Sequence, residues 1–141
     1  MSEMTFLFLL FIKLNMNDEL IKKLEELKIE DYIWIIYIGI IIMSWYSNTL
    51  ERKYYIYNDE VSKEKYRKII IAIFTIAIFV YLYFLKESYD DITNLKPYDT
   101  EEKKRLVFLS FIGSLLIAIS GFIFLYIAIR DEDLNVELAF N

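Results

Sequence analysis

Residues 106–129, LVFLSFIGSLLIAISGFIFLYIAI, run for 24 positions without a charge. A helix of that length reaches about 36 Å, enough to cross a bilayer's roughly 30 Å hydrocarbon layer with some tilt. Two shorter charge-free runs precede it, 32–50 with 19 residues and 69–85 with 17. The expected fold is therefore all-α and integral to the membrane: three transmembrane helices preceded by an amphipathic amino-terminal helix. Residues 1–31 form the amino-terminal segment, 32–130 the three-helix domain and 131–141 an acidic tail.

Composition agrees with a membrane class. Apolar residues make up 57% of the 141, above the roughly 45–50% of soluble domains, and the mean hydropathy is +0.34. Three glycines and one proline are too few for a loop-rich or disordered chain. Cysteine is absent, which removes disulfides, thiolate chemistry and cysteine metal sites. Histidine is absent as well, and with it the commonest general base and metal ligand. The formal charge of −5 gives no general pull on nucleic acid.

The amino-terminal stretch 4–12 holds nine uncharged residues, about 14 Å as a helix and too short to span. It has the apolar core of a secretory signal without the preceding basic residue or the small-x-small cleavage pattern. A peripheral amino terminus is expected, and Met16 offers a second start. Residues 17–30 read as an amphipathic helix. Asn17 suits the N-cap, Asp18 and Glu19 the positive end of the dipole. Leu20, Leu24 and Leu27, with Ile21, form the apolar stripe. Its mixed-sign polar face fits a protein surface as well as a membrane surface.

In the first span, Tyr32 and Trp34 mark one end and Trp45 and Tyr46 the other, as an aromatic belt does. In the second, Tyr81 and Tyr83 are placed to meet the headgroups, and Thr75 can bond its own i−4 carbonyl. Trp34, Trp45, Tyr81 and Tyr83 are the expected interfacial anchors. Between these spans, 51–68 carries six basic and four acidic residues. Asn58 and Asp59 are turn formers near its centre, so both flanking helices should run past the membrane and meet there. Between the second and third spans, residues 94–97 break helix at Pro97. Asp99 with Glu102 has the form of a capping-box start. The acidic residues Asp90, Asp91, Asp99 and Glu101 do not match the calcium-loop spacing, so no metal is expected.

The third run carries the clearest internal pattern. At roughly 100° per residue, Ser110, Gly113, Ser114, Ala118, Ser120 and Gly121 fall within an arc of about 160°. Phe108, Phe111, Ile112, Leu115, Leu116, Ile119, Phe122 and Ile123 take the opposite arc. Helices in lipid gain little by hiding apolar surface, so small residues that permit close backbone approach carry association. Ser110, Gly113, Ser114, Ala118 and Gly121 are the expected helix-packing positions. The same serines would line a pore if copies of the chain brought them together.

Basic residues set the expected orientation. The short, lysine- and arginine-rich 51–68 segment is placed in the cytoplasm, although a count of all basic residues gives seven on that side and nine on the other. The rule weights short flanks and early helices.

The spans lack ionisable side chains. Proton relays and ion-coupled transport need such groups at depth, and isolated hydroxyls have no base to activate them. The order of a surface helix followed by three spans resembles the bacterial diacylglycerol kinases in layout, but no acidic residue lies within the helices for phosphoryl transfer. No catalytic, cofactor-binding or metal residue is expected, and the chain is read as a non-enzyme. Two classes follow. One is an accessory, regulatory or immunity-type subunit acting through helix contacts with another membrane protein. The other is a small oligomeric pore or holin-like protein, although holin tails are commonly basic and this one is acidic.

Overall fold

The computed structural model describes residues 2–15 and 18–138. The Met16 start and the Asn17 N-cap fall outside the described residues. Four helices follow in order: α1 Glu3–Asn15, α2 Asp18–Tyr57, α3 Glu60–Thr93 and α4 Glu101–Arg130. Among the described residues there is no strand. α2, α3 and α4 are each long and apolar enough to cross a membrane.

The amphipathic stretch and the first charge-free run were expected as two helices. They form one, the 40-residue α2. The physical reason is that neither glycine nor proline lies between Glu30 and Tyr32, and Asp31, the residue there, stays in the backbone ladder instead of capping a new helix. A change from charged to apolar residues alters what surrounds a helix without ending it.

The chain divides into two compact units, Met1–Gly39 and Ile40–Asn141. In the first, Ser2 caps α1. Its Oγ accepts from the Thr5 N–H at 3.2 Å, and its carbonyl accepts from Phe6 N–H. Phe6, Leu7, Phe8 and Phe11 are exposed, on different sides of the helix. Leu20, Leu24 and Leu27 are exposed too.

The second unit has its core among Leu50, Tyr66, Ile70, Ile73, Phe74, Ala128 and Leu138. α3 and α4 pack antiparallel. Phe74 meets Phe124 with ring centroids 5.7 Å apart, Tyr89 approaches Phe111 at 6.1 Å, and Arg67 reaches the Ile129 carbonyl at 3.1 Å. The buried positions explain why these helices stay together along their length. On α3 they include Tyr66, Ile70, Ile73, Ala77 and Val80. On α4 Ala118, Gly121 and Ala128 are buried, with Ser114 and Leu125 half-buried in the same row. On α2 the row is Ile40, Met43, Ser47, Leu50 and Tyr54, with Ser47 and Leu50 fully buried. Each row alternates steps of three and four, an average near 3.5 that keeps a seam turned to its neighbour.

The connections follow from their side chains. Asn58, at φ 54°, occupies the left-handed region that asparagine tolerates better than most residues. Asp59 then caps α3, accepting from Val61 N–H at 3.1 Å and Ser62 N–H at 3.4 Å. The expected turn at Asn58 and Asp59 is where the chain reverses. α3 ends at Thr93, just before the 94–97 break. α4 begins one residue later than expected. Thr100, not Asp99, is its N-cap, its hydroxyl accepting from Lys103 N–H at 3.1 Å. Asp99 is engaged in the preceding turn, where its carboxylate accepts from Lys96 N–H at 2.7 Å and meets Lys103 Nζ at 3.2 Å.

Candidate functional site

The small residues of α4 divide between two directions. Ala118 and Gly121 are buried and Ser114 is half-buried, in the row turned towards α3. Gly121 faces the closest approach. A β-carbon added there would stand 3.0 Å from Tyr81 Cδ2 and 3.2 Å from Ile78 Cγ1. Ser110, Gly113 and Ser120 are exposed. A β-carbon on Gly113 would meet nothing within 4 Å. Ser120 satisfies its own hydroxyl on the Leu116 carbonyl at 2.9 Å, and Thr75 does the same on Ile71 at 2.7 Å. Phe111, expected on the outward bulky arc, is half-buried beside Tyr89. The inward face thus mixes small residues with Phe111, Phe124 and Leu125, rotated from the arc that the small residues alone define.

The four aromatic anchors also divide. Trp34 and Trp45 are 65% and 77% exposed, free to meet a surrounding medium. The Tyr81 ring instead lies against Gly121. The Tyr83 hydroxyl donates to Glu87 Oε1 at 2.6 Å, one turn further along α3.

A second cluster lies where α2 meets α3, beyond the charge-free runs. The 131–138 segment read as an acidic tail folds back onto this end of the second unit. Asp131 starts the fold-back, its two carboxylate oxygens accepting from Asn135 N–H at 2.9 Å and Val136 N–H at 2.8 Å. Leu134 adopts φ 54°, which turns the chain. Leu138 is only 7% exposed, within the core that holds Leu50, Tyr66 and Ile70. Asp133 meets Lys63 Nζ at 3.4 Å. Lys63 also lies 3.7 Å from Glu60 and 5.2 Å from the centre of the Tyr54 ring. Sequence periodicity missed this contact because the alternation of Leu134, Val136 and Leu138 is too short to stand out; those three apolar residues within an acidic stretch were the available signal.

Glu51 stands at the centre of the cluster, one residue past the first charge-free run. The buried Tyr66 phenol lies beside its carboxylate. Burial pushes the Glu51 carboxyl above its ordinary range, the neighbouring Tyr66 hydroxyl opposes that rise, and the charge of Glu137 adds to it. Burial and the adjacent Glu51 charge push the Tyr66 phenol up. Glu51 and Glu137 line one shallow depression together with Asn48, Arg52, Tyr55 and Ile56. Arg67 lies alongside. Its Nη2 donates to the Ile129 carbonyl at 3.1 Å, Nη1 is 3.5 Å from Glu64, and Nε is buried without a hydrogen-bond partner. It satisfies an end carbonyl of α4 and favours the negative end of that helix's dipole.

The arrangement gathers a carboxylate beside a phenol and a second carboxylate lining the same shallow depression. Among the described residues no three His, Cys, Asp or Glu side chains gather in a way that would hold a metal ion. No family model, no curated protein and no solved structure matches the chain.

Proposed function

We propose that this protein is a small non-enzymatic multi-pass membrane protein that acts as an accessory, regulatory or immunity-type subunit through helix contacts with a partner in the bilayer. The observation that carries the reading is the outward half of the α4 small face. Ser110 and Gly113 are exposed, and the space above Gly113 is open. In lipid such positions favour close approach of a second backbone. The charge-free runs support the non-enzymatic part, since chemistry at depth requires ionisable groups there. The 51–68 segment, rich in lysine and arginine, is assigned to the cytoplasm.

Purification in mild detergent tests the reading. A stoichiometric foreign membrane protein should accompany the wild type and be lost from Ser110→Ile and Gly113→Ile variants that remain folded. Recovery of a homo-oligomer that makes vesicles leak a trapped dye would overturn the accessory reading in favour of a pore.

A further inference from the structure

We propose that residues 131–138 form a strap whose docking on the α2–α3 end, which brings Glu137 into the depression lined by Glu51, is coupled to proton uptake by the Glu51 carboxylate.

The geometry has three parts. A hinge is present: α4 ends at Arg130, Asp131 ties down the Asn135 and Val136 amides, and Leu134 reverses the chain at φ 54°. An anchor is present: Leu138 is buried in the core beside Leu50 and Tyr66, and Asp133 is paired with Lys63. A built-in opposition is present as well. Docking puts Glu137 into the same depression as Glu51, so two carboxylates meet where one is already partly removed from water.

The groups facing this pair are few. From α2 come Arg52 and Tyr55 beside Glu51; from α3 comes the Tyr66 hydroxyl; from the strap comes Glu137 itself. Among the described residues Arg52 makes no ion pair. Tyr66 lies beside the Glu51 carboxylate but brings no positive charge. Among the described residues lining the depression, only Arg52 carries a charge that offsets a second negative one.

Linkage then gives the sign. Docking places Glu137 in the depression that Glu51 lines, and that charge raises the affinity of Glu51 for a proton, adding to the rise that burial of Glu51 already causes. A state with the higher proton affinity is favoured as pH falls. The strap therefore binds more tightly in acid and loosens as pH rises through the elevated Glu51 range. The docked-to-free ratio changes by up to tenfold for each pKa unit by which docking raises the carboxyl.

The test uses the full chain in lipid nanodiscs. The protein has no cysteine of its own, so a nitroxide on Asn135→Cys reports strap mobility without competing sites. Asn135 is exposed and lends its backbone, not its side chain, to the Asp131 cap. The label should become less mobile between pH 8 and pH 5. Glu137→Gln and Glu51→Gln should each remove most of that dependence and leave the strap docked at pH 8. Leu138→Asp should release it at every pH, which establishes that the label reads docking. A wild-type label whose mobility does not change with pH, or a pH response kept intact in Glu137→Gln, overturns the coupling. A label equally immobile in Leu138→Asp and wild type overturns the strap itself.

Discussion

One edge of the Tyr81 ring lies against the position where Gly121 lacks a side chain, its Cδ2 3.0 Å from where a β-carbon would stand. Real β-carbons are rarely that close to a neighbour, so any side chain at 121 moves Tyr81, Ile78 or the helices. Both neighbours come from α3, so the contact sets how near α3 and α4 approach.

Gly121→Ala should therefore destabilise the α3–α4 pair by about 1–3 kcal/mol, the usual cost of overpacking. Gly113→Ala should be within about 0.5 kcal/mol of wild type or slightly stabilising, since alanine is the better helix former and open space surrounds the site. Steric-trap or detergent unfolding of the two variants separates them. Tyr81→Ala combined with Gly121→Ala should cost less than the two changes summed, because the small residue on α3 accepts the added methyl. Equal costs for Gly121→Ala and Gly113→Ala would falsify the inward assignment of Gly121.

The membrane orientation proposed from the basic residues of 51–68 is open to direct labelling. Asn58 sits at the exposed turn between α2 and α3, and the chain has no other thiol to confuse the result. With Asn58→Cys, a membrane-impermeant maleimide should leave intact cells unlabelled and react once the membrane is opened. Labelling of intact cells reverses the orientation. The same readout also locates the strap, which packs at this end of the second unit.

Much of the fold was legible because its strongest signals are local. A charge-free run of about 20 residues has few places to go other than a bilayer, and α2, α3 and α4 each contain one. The reversal at Asn58 and Asp59 could be read because asparagine accepts a positive φ and aspartate caps a helix. What could not be read depends on partners. The continuity of α2 was hidden because a change in polarity was taken for an end where the backbone has no reason to stop. The direction of the α4 packing face depends on α3. Gly121 and Ala118 turn inward with Phe111 and Leu125, while Ser110 and Gly113, from the same small series, do not. Tyr81 had the composition of a headgroup anchor, and only the position of Gly121 gives its ring a packed place. The strap is hard to read because Leu134, Val136 and Leu138 alternate over only five residues of an acidic segment.

The cap of α3 gives a prediction in pH. Asp59 is held below the usual carboxylate range, first by the hydrogen bond that Ser62 Oγ donates at 2.8 Å, then by the Ser62 and Val61 amides, with the charge of Lys53 assisting. A carboxyl lowered in the folded state stabilises that state above its ordinary range, and the benefit is lost as pH falls through the lowered one. The first turn of α3 should therefore stay formed at neutral pH and fray only in acid, below the range where an unperturbed aspartate titrates. Ser62→Ala removes the largest cause and should move the Asp59 titration, followed by the carboxyl carbon in NMR, back towards the ordinary value. Asp59→Asn keeps an acceptor for the Val61 and Ser62 amides but has no proton to gain, so its first turn should lose the acid-dependent step. An Asp59 titration that stays put in Ser62→Ala would mean that the hydroxyl contact does not set the charge of the cap.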